Sequence, residues 1–242
     1  MTIVYDNNPH DTGLRTAWGF ACFIEGTQRT ILFDTGGSGK ILMANLRALE
    51  IDPKRIDVVV LSHDHADHTG GLRALLSEHS QVSIYVPKSF AQWVGRQAQH
   101  AGAKVVEVGG PCEICRGVRS TGEMGASIKE QSLLIDTEDG VAVVTGCAHP
   151  GIVAIARRAQ ELTHSAIALV LGGFHMGGFG KGAIRSVIRD LEALGTKQVA
   201  PCHCSGDRTR EMFRASFPDR YIHAGVGTKI ELRLPKPKAP AR

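Results

Sequence analysis

The chain has 242 residues, 43% of them apolar, enough to bury one sizeable core, which places it among globular proteins rather than disordered or fibrous ones. Lys plus Arg exceeds Asp plus Glu by four (28 against 24), a mild excess concentrated only at residues 233–242, so charge gives no indication of nucleic-acid binding. No apolar run reaches the roughly 18 residues that a bilayer span needs, and no basic stretch leads into an apolar one at the start, so the expectation is a soluble, cytoplasmic protein without membrane contact.

Strand-like and helix-like patterns alternate along the chain, which predicts mixed sheets covered by helices. Residues 20–24 and 30–33, joined by Glu25-Gly26-Thr27-Gln28, predict a hairpin. Ser38 or Gly39 opens a helix carrying Ile41, Leu42, Leu46 and Leu49. The apolar run Val58-Val59-Val60-Leu61 predicts a buried strand, and a helix over 71–78 follows with its N-terminus facing the intervening loop. Strands at 82–86 and 104–108 bracket a helix over 90–99, and strands at 132–136 and 141–145 are separated by the turn Thr137-Glu138-Asp139-Gly140. Ile152, Ile155, Ala156, Ala159 and Leu162 recur with helical period, as do Ile184, Val187, Ile188, Leu191 and Leu194. A buried strand at 166–171 lies between those helices and another, 197–200, follows them. Residues 235–242, rich in proline and lysine, read as a disordered tail after a single domain over 1–234.

Directly after the run 58–61 stands His63-Asp64-His65-Ala66-Asp67-His68. His63 and His65, two apart, point the same way while the chain is extended; Asp67 and His68 reach a neighbouring point once it bends at Thr69-Gly70-Gly71. Imidazole nitrogen and carboxylate oxygen are ligands of borderline divalent ions, and two such ions about 3.5–4 Å apart share and activate a water. Other strand ends also carry histidines, at His149, His175 and His203. The six cysteines, Cys22, Cys112, Cys115, Cys147, Cys202 and Cys204, read as reduced thiols, since two flank His203 and one stands two residues before His149. Cys112-Glu113-Ile114-Cys115 could hold a structural zinc with Cys202 and Cys204 if the two segments met; two unrelated pairs is the plainer alternative.

Leu32-Phe33-Asp34-Thr35-Gly36 and Leu61-Ser62-His63-Asp64-His65-Ala66-Asp67-His68-Thr69-Gly70-Gly71-Leu72 resemble the first two signature motifs of the metallo-β-lactamase superfamily. Tyr5-Asp6-Asn7-Asn8, Thr145-Gly146-Cys147-Ala148-His149-Pro150-Gly151, Gly172-Gly173-Phe174-His175 and Pro201-Cys202-His203-Cys204-Ser205-Gly206 extend the likeness to the metal-dependent hydrolase subgroup called dihydropterin-methyl-ribofuranosylaminobenzene phosphate synthase-like. The resemblance implies a four-layer αββα sandwich of mixed α/β class. It implies that His63 and His65, with a third ligand from the loop of His149, hold one metal ion, and that Asp67, His68 and His203 hold a second. Asp34 would brace the metal loop through hydrogen bonds. In many of these hydrolases an aspartate bridges the two ions in a Thr-Gly-Asp sequence, where this chain has Thr145-Gly146-Cys147, so Cys147 is either a soft ligand or a small buried residue.

The expected activity is a metal-dependent hydrolase with two divalent ions, zinc first and manganese or iron after it, in which metal-bound hydroxide attacks a small anionic phosphate, ester or lactone. His175 or Asp64 would move protons. The alternatives are a pterin-related ribofuranosylaminobenzene phosphate synthase-like transferase, a mononuclear iron oxygenase of the same fold, which the presence of both Asp67 and His68 disfavours, and a non-enzymatic binder. The expected partner is a small-molecule substrate, and the sequence carries no signal of oligomeric state.

Overall fold

Alternation along short apolar strands sends neighbouring residues to two different cores. In β3 (Ile31–Phe33), Ile31 and Phe33 face one core and Leu32 the other; in β10 (Gly140–Thr145), Ala142 and Val144 face the first of these while Val141 and Val143 face a third. Strands buried on both faces need a layer on each side, and the computed structural model, which describes residues 1–235, supplies them. One sheet runs in the order β1 (Thr2–Tyr5), β2 (Ala21–Ile24), β3, β4 (Val58–Val60), β5 (Ser83–Pro87), β6 (Lys104–Val108). The other runs β12 (Gln198–Cys202), β11 (Ile167–Gly173), β10, β9 (Leu133–Thr137), β8 (Val118–Ser120), β7 (Cys112–Cys115). Helices α1 (Gly39–Ala48), α3 (Leu72–Glu78) and α4 (Ala91–Ala101) cover the first sheet; α5 (Ile152–Thr163), α6 (Lys181–Ala193) and α7 (Asp207–Ser216) cover the second. The result is the αββα sandwich, with Phe20, Phe33, Val60, Leu133, Val144 and Leu171 packed between the sheets.

Strands β1 to β3 of one sheet and β7 to β10 of the other join antiparallel, and parallel pairing begins at β3–β4 and at β10–β11. Parallel strands need crossovers, so their carboxyl ends all open at one edge of the sandwich, where loops gather ligands. Residues 220–230 then tie the two sheets together. Val199 N–H donates to the Arg220 carbonyl and Ile222 N–H returns the bond to Val199, while Ile3 N–H donates to Thr228 and Ile230 N–H to Met1.

Most predicted elements appear within a residue or two of their expected ends. A four-residue helix, α2 (Ala66–Thr69), turns the motif immediately after His65, and β1, β7, β8 and α7 were not anticipated. The possible four-thiolate zinc site is excluded by strand order: Cys112 and Cys115 lie on β7 and Cys202 and Cys204 at the end of β12, opposite edges of one six-stranded sheet. Of the expected tail at 235–242, residues 236–242 lie outside the described residues. Among those described, no helix is long and apolar enough to cross a membrane.

Candidate metal centre

Five strand ends build the centre: Asp34 follows β3, the segment from His63 to His68 follows β4, Cys147 and His149 follow β10, His175 follows β11 and His203 follows β12. The backbone is bent hard to present them. Asp34 (φ 57°), Ala148 (φ 56°), His175 (φ 51°) and His203 (φ 46°) all occupy the left-handed region, which costs a residue with a Cβ on the order of 1 kcal/mol. Such strain persists only where surrounding contacts over-determine it, and four cases at one edge of the sandwich make this the candidate functional site.

One ligating atom each from His63, His65 and His149 lies within 4.8 Å of the others, and so do single atoms of Asp67, His68 and His203. The six predicted ligands therefore fall into the two expected triplets, side by side, with the His63 and His68 ring centroids 4.2 Å apart. In the second triplet Asp67 Oδ2 is 3.5 Å from His68 Nε2 and 3.3 Å from His203 Nε2, and the two Nε2 atoms are 3.3 Å apart. Donors about 2.0–2.2 Å from a common tetrahedral ion stand at about such separations.

Hydrogen bonds fix which nitrogen each ring offers. The Glu130 carboxylate is buried, and Oε1 accepts from the Thr145 hydroxyl and the backbone N–H groups of Gly146, Cys147 and Ala148. Oε2 accepts from the backbone N–H of His149 and from its Nδ1, 2.9 Å away. Burial works against ionisation, yet His149 and these N–H donors hold Glu130 well below the usual carboxylate range. An ionised carboxylate only accepts, so His149 Nδ1 carries the proton and Nε2 presents its lone pair. Asp34 plays the same part for the other triplet, accepting from the Ser62 N–H and hydroxyl and from His68 Nδ1 at 2.7 Å. The Ser62 hydroxyl is thereby committed to Asp34, so His63 Nδ1, 2.8 Å away, donates to it, which bares His63 Nε2. Asn7 Oδ1 lies 2.9 Å from His203 Nδ1 and orients that ring likewise.

His63 Nε2 and His149 Nε2 are buried and have no hydrogen-bond partner among the described residues. A buried polar atom without a partner costs about 1–3 kcal/mol, and two aimed at one point beside His65 are what a cation would satisfy. Burial and neighbouring His68 push the His63 imidazole down to about 2, so it is a neutral donor. Burial alone would lower His68, but the Asp34 and Asp67 carboxylates hold it up at about 10. Asp67 is itself held well below its ordinary value by His203 and His68, against the effect of burial. The donor set fits divalent metal.

The other predicted residues divide. Cys147 is buried at the junction, Sγ 3.2 Å from His68 Nε2, within reach of His63 as well. The neighbouring Cys204 thiol, then burial, push its ionisation well up, so it would need a cation to become a thiolate. His175 is exposed at the rim with its ring centroid 4.5 Å from that of His149. Asp64 is exposed and joins none of the metal-ligating groups among the described residues. Sequence reasoning missed Glu130 and Ser62; Trp18 also stands beside the centre, 60% exposed with its ring 4.8 Å from that of His203. Glu130 lies three residues before the start of β9 and carries no motif of its own; only Ser62, inside the motif, had a signal to find.

The metallo-β-lactamase superfamily model matches residues 19–168. The chain belongs to the metallo-β-lactamase superfamily. Within this superfamily it is 27% identical to a protein of Methanocaldococcus jannaschii named 7,8-dihydropterin-6-methyl-4-(β-D-ribofuranosyl)-aminobenzene-5'-phosphate synthase, over 93% of this chain and 94% of that one. It is similar to the crystal structure of Tm1679, described as a metal-dependent hydrolase of the β-lactamase superfamily, with a TM-score of 0.83 and 25% identity over 96% of this chain and 98% of that one. The metallo-β-lactamase fold protein YhfI of Bacillus subtilis shares the fold, with a TM-score of 0.68 and 14% identity over 94% and 96% of the two chains.

Proposed function

We propose that this protein is a metal-dependent hydrolase of a small anionic ester, lactone or phosphate, with two divalent ions, zinc first, held by His63, His65 and His149 and by Asp67, His68 and His203. The observation that carries the reading is the pair of buried, partnerless Nε2 atoms of His63 and His149 beside the Asp67, His68 and His203 cluster. Bound ions of this kind supply Lewis-acid polarisation of the scissile group and lower the pKa of a nearby water. Glu130 and Asn7 hold His149 and His203 in the tautomer that leaves Nε2 free, and Asp34 orients His68, whose Nε2 proton an incoming ion would displace. His175, exposed beside His149 and lowered in pKa by burial and by that neighbour, is neutral at physiological pH and carries the proton between nucleophile and leaving group. Asp64, also at the rim, is the alternative proton carrier. Trp18 offers a flat apolar face next to His203, which favours a substrate with a planar ring.

That face, with the relationship to the named synthase, favours a second reading in which an aryl ribose phosphate is the acceptor of a transfer rather than the target of water. The test is elemental analysis of protein purified without a histidine tag, followed by a panel of phosphodiesters, lactones and thioesters, and of pterin with phosphoribosyl substrates. Two ions per chain, one in Asp67→Ala, with turnover of a member of the hydrolytic panel, is the expected result. A condensed pterin product with no hydrolysis transfers the assignment to the synthase-like reading, and protein that binds no metal overturns both.

A further inference from the structure

Three of the loops that build the centre each present a residue that the two triplets leave over. These are Cys147 from Thr145-Gly146-Cys147, His175 from Gly172-Gly173-Phe174-His175, and Cys204 from Cys202-His203-Cys204. Their ligating atoms lie within 4.8 Å of one another. The backbone is shaped around the sulfurs: His175 N–H, at a left-handed residue, donates to Cys204 Sγ at 3.3 Å, and Cys204 Sγ lies 3.8 Å from the Cys147 carbonyl. A Cβ at Gly173 would stand 2.7 Å from Cys204 Sγ and 2.5 Å from the Gly146 carbonyl, so glycine there keeps the room the thiol occupies. Cys147 and Cys204 are buried whereas His175 is exposed, so the group opens to solvent on its imidazole side.

We propose that Cys147, His175 and Cys204 form a third cation position, distinct from the two triplets and selective for thiophilic ions. Two sulfurs and one imidazole make a three-ligand set with one place open. Thiolate donors select zinc, cadmium or copper(I) over manganese and magnesium. A divalent ion entering here forms two metal–sulfur bonds and releases one proton from each thiol, without any change of oxidation state. The ion also takes the lone pair of His175. Resting on the role given to His175 above, the position is inhibitory: a soft ion beyond the first two withdraws the proton carrier.

The experiment uses tag-free, chelator-stripped protein titrated with cadmium, read by elemental analysis after dialysis and by near-ultraviolet thiolate-to-cadmium charge-transfer absorption. Wild type should take up a third equivalent that Cys204→Ser and Cys204→Ala lack, and the charge-transfer absorption that accompanies it should be lost with it. His175→Ala, at an exposed side chain, should lose the same equivalent and serves if the Cys204 variants unfold in circular dichroism. Asp67→Ala should lose a different equivalent and keep the one that depends on Cys204. Uptake and absorption unchanged in both Cys204→Ser and His175→Ala overturn the third position while leaving the pair intact. Loss of the Cys204-dependent ion alone, with Asp67→Ala unaffected, sinks the binuclear reading instead. A free-thiol count in denaturant that shows Cys147 and Cys204 joined as a disulfide in freshly prepared protein also overturns the proposal.

Discussion

The Glu130 carboxylate accepts four consecutive backbone N–H groups, a hydroxyl and the His149 ring in a fully buried setting. An amide in its place cannot accept at both ends, so Glu130→Gln leaves buried donors facing a donor. The expected cost is about 2–4 kcal/mol in urea unfolding. Metal affinity should also weaken by roughly 10–100-fold, since His149 loses its orienting acceptor. The pH dependence has a definite sign, because the folded pKa lies below the ordinary value. The contribution is complete above about pH 4.5 and is lost as pH falls through the folded value. The stability gap between wild type and Glu130→Gln should therefore be full at neutral pH and close in acid. His68 works in the opposite direction. In chelator-treated protein its contribution is complete below about pH 6.5 and disappears as pH rises towards its folded value of about 10. Asp34→Asn removes the first of the carboxylates that hold it up. An NMR titration should find His68 shifted down, with metal affinity at the second triplet weakened by roughly 10–100-fold and the first triplet retained.

At the scale of elements, the placement of α2 and α3 depends on how closely their junction approaches β3. Gly71 N–H donates to the Gly36 carbonyl, and a Cβ on Gly71 would lie 2.1 Å from the Thr35 carbonyl oxygen and 2.8 Å from Leu42. No side-chain rotation relieves a backbone clash of that size, so Gly71→Ala must push α3 outward and drag His68 with it. The Thr35 hydroxyl and N–H both donate to the His68 carbonyl, which makes the loop rigid enough to transmit the shift. The expected effect is a loss of about 1–3 kcal/mol in chemical denaturation. Cation uptake at the Asp67, His68 and His203 triplet should weaken in the same variant.

On the scale of the whole molecule, each triplet draws on both sheets. His63 and His65 come from the first and His149 from the second; Asp67 and His68 come from the first and His203 from the second. The centre therefore exists only while the two sheets stay in register, and the strap at 220–230 is what joins their edges outside the shared core. Val226 and Ile230 are buried in it. Ending the chain at residue 218 removes both, about 3–6 kcal/mol of apolar burial, a large fraction of the 5–15 kcal/mol typical of a folded protein. The truncated protein should unfold at much lower urea concentration, or fail to fold, as followed by circular dichroism.

What was legible in the residues was whatever is local. The period of the apolar runs named most strands and helices, and the packing of His63, His65, Asp67 and His68 into six positions pointed to a candidate metal loop. The helix α7 escaped because it buries only Thr209 and Phe213, too narrow a stripe to stand out from a charged surface. The partnership of Glu130 with His149 spans 19 residues and nothing in either segment announces the other, whereas the bracing of the metal loop by Asp34, 34 residues before His68, was implied by the family resemblance. Whether two cysteine pairs can meet depends on strand order, which separates Cys112 and Cys115 from Cys202 and Cys204 by the width of a sheet. By itself the sequence determined the strand-end positions of the candidate ligands and the alternation of strands and helices, because each follows from spacing along one chain segment; the layered architecture and the Asp34 brace were implied by the family resemblance. Only the tertiary structure decided which imidazole nitrogens are bare, that Glu130 helps to hold them so, and that Cys147, His175 and Cys204 converge, because these depend on distances between segments far apart in the chain.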